Sequence, residues 1–206
     1  MGRSVADVAL LLSVISGPDG LDPRQGHAVM TADYLGALSL PLRGLRIGVV
    51  REGFCRPESS AISDSVVRRA LTAMASAGAM VEEISIPWHR DGYDITTALV
   101  MEGSARFLFS QNAVGYGLGV HHPEALVQFW TEAWRARPER LPDIGKFALL
   151  FGSFLEESSP GRFYGKAQNL RRLLRAAYDA ALTRYDVLAL PTMPFPATPL
   201  PASGAS

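Results

Sequence analysis

At 206 residues, 48% hydrophobic and 19% charged, the chain fits one domain able to bury a core, which excludes disorder over most of its length. A formal net charge of zero and a pI near 6.9 leave no basic excess to neutralise phosphates, so nucleic acid is not an expected partner. Cys55 is the single cysteine, which excludes an internal disulfide and a cysteine-based metal cluster and suits a reducing cytoplasm.

The first apolar stretch, Val5 to Ile15, is interrupted by Asp7, and Ser16-Gly17-Pro18-Asp19 is not a small-residue cleavage site. Myristoylation would want Ser or Thr where Ala6 stands. No other apolar run approaches the roughly 20 residues of a spanning helix, so no membrane partner is expected and the location read is the cytoplasm.

Ser4 and Asp7 have the spacing of a capping box, and Val5, Val8, Leu11, Leu12 and Ile15 follow at helical spacing until Gly17-Pro18. A polar loop through Asp22-Pro23-Arg24 and a short piece at Tyr34 to Leu38 lead to a first strand, Leu45–Val50, bounded by Gly44 and Gly53. The segment Ile62 to Ala77 predicts a helix with Ile62, Val66, Val67, Ala70, Leu71 and Met74 inward and Arg68 and Arg69 opposite, stopped by Gly78. Met80–Ile86 alternates as a second strand, and strand, helix, strand in one sheet implies parallel pairing.

Helices are predicted over Tyr93 to Ser110, Pro123 to Arg137, Ile144 to Leu155 and about Arg162 to Arg184. The last has Tyr164, Leu170, Leu173, Leu174, Ala177, Tyr178 and Leu182 on its inner side. Val187–Leu190 is the third strand, and the prolines from Pro191 to Pro201 impose an extended tail. The fold class is α/β, about three strands and about six helices, with no internal repeat.

A search for sharp motifs returns no phosphate loop, zinc-protease helix, nucleophile elbow or EF-hand. Gly115 to Gly119 follows a predicted helix rather than a strand and reads as a plain loop. His121 and His122 with His89 and Glu124 could be imagined as metal ligands, but solvent-exposed loop histidines are the stronger reading, and no metal or cofactor is expected. Glu82 and Glu83 face opposite sides of a strand as a polar edge, which weakens them as a catalytic carboxylate pair; Glu156-Glu157 is a second adjacent acidic pair. Trp130 and Trp134, four apart on a helix, could line an aromatic pocket or pack into the core, the commoner use. Lys146 and Lys166, the only lysines, read as solvated surface ammoniums.

Met1 to Leu12, then Gly17 to Gln25 (GPDGLDPRQ), Leu45 to Gly53 (LRIGVVREG), Val81 to His89 (VEEISIPWH), Tyr164 to Asn169 (YGKAQN) and Asp186 to Pro196 (DVLALPTMPFP) run in order along nearly the whole chain. Together they resemble the amidase-signature hydrolases, and within them the bacterial amidases of nitrile breakdown, which convert carboxamides to carboxylates and ammonia. The resemblance implies part of that family's mixed sheet covered by helices. It makes residues 1–206 a single incomplete domain, the middle of an amidase domain, with a proline-rich tail at 191–206.

The family's catalysis uses a lysine, a bridging serine in a cis peptide and a nucleophilic serine. A buried, neutral lysine takes the serine proton through the bridge, and backbone N–H groups of a glycine-rich loop hold the oxyanion. The matching stretch would lie upstream of Met1. Neither Ser158-Ser159-Pro160-Gly161 nor Ser203-Gly204 has the surrounding glycines, so no catalytic residue is assigned and the chain alone is expected to be inactive.

By the same resemblance Thr96, Met101 and Glu102 on one helix, with Thr192 and Met193 in the turn before Pro194, border the substrate pocket; packing the fold is their alternative role. Nitrile-pathway relatives carry a bulky aromatic near the Thr96 position, and threonine departs from that pattern. The implied partner is a small-molecule amide, with room for a homodimer of the full enzyme. Two rival readings are the amidase-type subunit of a tRNA-dependent amidotransferase and a stand-alone α/β binding module.

Overall fold

The computed structural model describes residues 2–19, 21, 31–114 and 122–199. The polar loop at residues 22–24, the glycine run at 115–119, His121 and residues 203–204 lie outside them. The chain divides into two compact units, one of residues 1–41 and 98–165 and the other of residues 42–97 and 166–206. Among the described residues no helix is long and apolar enough to cross a membrane.

The second unit holds the sheet. Strands β1 (Arg46–Val50), β2 (Met80–Ile84) and β3 (Val187–Ala189) are parallel in the order β2-β1-β3, with Ile47 opposite Val81 on one side and Val187 on the other. Parallel pairing follows from the strand, helix, strand spacing, since the crossover is helix α2 (Ala61–Ser76). Ile47, Val49, Phe54, Leu71 and Ala79 form the core, with Val67, Val81 and Leu190 packed on it. Asp186 fastens the start of β3 to β1: its Oδ2 accepts the Arg46 backbone N–H at 2.8 Å and its Oδ1 takes the Arg46 guanidinium at 2.7 Å.

Helix α2 buries only part of the face the apolar spacing predicts, Val67 and Leu71 packing on the core while Ala70 and Met74 stay exposed. Leu71 and Asp64 are buried while Ile62 and Val66 are exposed, and the exposed Arg68 reaches back to set its guanidinium 4.4 Å from the centre of the Phe54 ring. The cause is Asp64, whose Oδ2 accepts the Cys55 N–H at 2.8 Å and so rotates the helix toward the loop after β1. The helix stops where expected, at Gly78 with φ +101°. Strand β2 ends two residues short of the prediction because the Ile86 N–H leaves the ladder for the Glu52 carboxylate, at 2.8 Å.

The first unit contains α1 (Val5–Ile15) behind a complete Ser4–Asp7 capping box, α4 (Glu124–Ala136) and α5 (Asp143–Ser158). The chain passes between the units within α3 (Gly92–Ser104) and within α6 (Arg162–Leu182). The stretch predicted as continuous helix to Ser110 changes after Ser104 to a π-helical segment, Ala105–Ser110. Trp130 and Trp134 both pack on Phe109, with ring centroids 6.1 and 5.3 Å away, and Trp130 Nε1 donates to the Leu108 carbonyl at 2.9 Å. On α6 the inward stripe is Ala167, Leu170, Leu174, Ala177, Tyr178 and Ala181, whereas Tyr164, Leu173 and Leu182 are exposed. The stripe advances by three or four residues per turn, with Ala177 and Tyr178 sharing one turn of it.

Candidate functional site

In a parallel sheet, ligands gather outside the carboxyl ends of the strands, above all where the strand order reverses. Here that point is between β1 and β3, because the chain leaves β1 toward β2 on one side and returns as β3 on the other. Thr192 and Met193 follow β3 after Leu190 and Pro191 and are exposed there. Their turn is fastened to the start of α2, since the Ser60 N–H donates to the Pro194 carbonyl at 2.6 Å. At Gly53 a Cβ would stand 2.8 Å from the Leu190 Cβ, so only glycine lets the two strand-end loops approach this closely.

Beneath these loops Glu52 is buried. Ser85 Oγ donates to its Oε1 at 2.5 Å and the Ile86 N–H to its Oε2 at 2.8 Å, while the Arg51 guanidinium stands 3.6 Å away. Burial by itself raises the carboxyl's pKa, but those hydrogen bonds, joined by one from its own backbone and by the Arg51 charge, win and hold it at about 2. Glu52 is a fixed anion that shapes the loop, and it has no proton to trade at neutral pH.

His89, expected to be an exposed loop histidine, is half-buried and shares a 2.6 Å hydrogen bond between Nδ1 and the Tyr178 hydroxyl. Burial first, then the Arg56 charge, lowers its pKa against the pull of Glu52. The imidazole is therefore a neutral partner at pH 7. Among the described residues no cluster of histidine, cysteine and acidic side chains could hold a metal ion.

The first unit carries a separate cleft of about 520 Å³, whose walls include Glu102, Arg106, Phe107, Gln111 and Tyr164. Glu102 is 4% exposed, and its two oxygens accept the backbone N–H groups of Gly161 at 2.7 Å and Tyr164 at 2.6 Å. It thus caps the start of α6, satisfying donors that a helix's first turn otherwise leaves open. Arg106 and Glu156 form an ion pair on the same wall. Met101 is half-buried, with its carbonyl against Gly152 of α5, and Thr96 is exposed on α3.

Of the five residues singled out from the sequence, Glu102 lines this cleft, and Thr192 and Met193 stand at the carboxyl edge of the sheet. Sequence reasoning passed over Glu52, Arg106 and Tyr164. The signal for Glu52 was its place, two residues beyond a buried strand, where parallel sheets present functional loops. Arg106 and Glu156 pair across 50 residues, which no local pattern announces. The other predicted candidates take structural roles: Lys146 stands 3.4 Å from Asp143, and Glu82 and Glu83 lie on an edge strand near Arg184 and Arg68.

The geometry agrees with the comparisons. The Amidase family profile matches residues 1–204. An enantioselective amidase from Rhodococcus rhodochrous is 38% identical over 98% of this chain, and a glutamyl-tRNA(Gln) amidotransferase subunit from Prochlorococcus marinus is 34% identical over 93%. The chain spans 39% of the length of each of these relatives. Among solved structures, a glutamyl-tRNA(Gln) amidotransferase subunit from Thermotoga maritima superimposes with a TM-score of 0.59 at 22% identity, over 93% of this chain and 36% of that one, which shows a shared fold. With its α/β sheet order, the strand-end loops and the profile match along nearly its whole length, the chain belongs to the amidase family.

Proposed function

We propose that this chain is the substrate-wall segment of a carboxamide hydrolase that releases a carboxylate and ammonia by serine nucleophilic catalysis. The observation that carries this reading is the 38% identity to an enantioselective amidase over 98% of the chain. Thr192 and Met193 at the sheet edge, and Thr96, Met101 and Glu102 on α3, are the positions offered to the amide substrate. Glu102 acts mainly by holding the start of α6, so its influence on substrate is through the wall it fixes. No residue of this chain is assigned the nucleophile, and the chain alone is inactive on this reading. The setting is a cytoplasmic one, in nitrile breakdown.

Incubating the purified chain with aryl and aliphatic carboxamides tests the assignment. Ammonia release should stay at the buffer rate. Turnover that disappears when one of the chain's own serines is replaced would overturn the proposal.

The amidotransferase-subunit reading draws on the 34% identity to such a protein. Activity that required a partner complex and glutamine as the ammonia source would favour it.

A further inference from the structure

The sheet-bearing unit carries a second feature beside its strand-end loops. Beside the loop leaving β1 and the last residues of β2 lies a cleft of about 570 Å³, with Arg51, Arg56, Arg68 and Arg90 in its walls against Glu52 and Glu83. The four guanidiniums outnumber the two carboxylates of the wall. Glu52 is 1% exposed and consumed from below by Ser85 and Ile86. Glu83 stands 3.8 Å from Arg68, too far for a hydrogen bond. Arg56 is turned to Glu58 at 2.5 Å, outside the wall. The Arg90 guanidinium has no hydrogen bond or ion pair among the described residues.

The wall is also held in place before any ligand arrives. Cys55 takes a left-handed turn at φ +50°, and its N–H is fastened to Asp64. Phe54, buried beneath, holds the Arg68 guanidinium 4.4 Å from the centre of its ring, a cation–π contact that restrains the group beside the cleft. Arg51 is anchored at one end by Ser85, at 3.1 Å, and its side chain is 59% exposed. Guanidinium forks held this way match the paired oxygens of a carboxylate or phosphoryl group.

The geometry points to an oxyanion-binding site in this cleft, in which Arg51, Arg68 and Arg90 hold a carboxylate or phosphoryl group.

Cys55 supplies a built-in reporter, since it is the chain's only cysteine, is exposed and lines the same cleft. Its alkylation by neutral iodoacetamide would be followed by intact mass in sodium chloride, inorganic phosphate or succinate at matched ionic strength. Phosphate or succinate should slow alkylation severalfold and saturably, where chloride does not. Protection by phosphate alone identifies a phosphoryl site, by succinate alone a carboxylate site, and by both a shared one. Arg90→Ala should raise the half-protection concentration about tenfold, the size of one lost charge-assisted hydrogen bond. Arg171→Ala, on exposed α6 surface, should leave it unchanged. Isothermal titration of the protecting anion into the wild type and Arg90→Gln gives the same comparison without the thiol. Equal rates in all three salts, or protection undiminished in both Arg90 variants, would overturn the assignment.

Discussion

Glu52→Gln removes one charge from a side chain that is 1% exposed while keeping its shape. The amide oxygen can still accept from Ser85 or from the Ile86 N–H, but its NH₂ group must then face the other site. One charge-assisted hydrogen bond is lost, worth about 1.5–3 kcal/mol. Glu52→Ala orphans both donors under the strand-end loops and should cost about 2–5 kcal/mol. The carboxyl's pKa is about 2 in the fold against an ordinary 4.5, so its contribution is complete above about pH 4.5 and lost as the pH falls toward 2. Glutamine has no such titration. Urea unfolding followed by circular dichroism should therefore show wild type above Glu52→Gln at pH 7, with the gap closing between pH 4.5 and the acid limit. A glutamine variant within about 0.5 kcal/mol of wild type at pH 7, the range of ordinary surface changes, would refute the reasoning. So would a gap that ignores pH across that window.

Glu102→Ala should destabilise the start of α6 by about 2–5 kcal/mol, since two backbone donors lose a buried carboxylate; faster hydrogen exchange at the Gly161 and Tyr164 amides checks it. Trp134→Phe should cost less than about 1 kcal/mol by denaturant titration, because Trp134 Nε1 is buried without a partner in the described residues. Trp130→Phe instead loses a bond to the Leu108 carbonyl and should cost about 1–2 kcal/mol more than its neighbour's change. Gly53→Ala drives a methyl into Leu190 and should lower stability by about 1–3 kcal/mol in the same titration, with the Thr192–Pro194 turn exchanging faster.

Much of the fold could be read from local pattern. The Ser4–Asp7 capping box, the Gly78 stop and the β-branched run ending at Val50 each lie within a few residues of the element they define, and all three stand as read. Helix facing was harder, because it depends on one polar side chain choosing a partner. Asp64 swings α2 toward Cys55, and hydropathy gives a carboxylate no reason to face inward. The end of β2 was misplaced for the same kind of reason, since Ile86 bonds to Glu52 across 34 residues. Similarity to relatives pointed to Glu102 and Thr192, yet no sequence pattern could say that Glu102 spends both oxygens on a helix start 59 and 62 residues away.

The most direct test is a segment exchange. This chain would replace the matching 39% of the Rhodococcus rhodochrous amidase, and ammonia release from carboxamides would be measured on the purified hybrid. The account predicts a folded hybrid with measurable turnover, and a changed ratio of kcat/KM between aryl and aliphatic amides that Met193→Ala or Thr96→Phe shifts further. A hybrid with native circular dichroism and cooperative unfolding that released no ammonia from any carboxamide would contradict it.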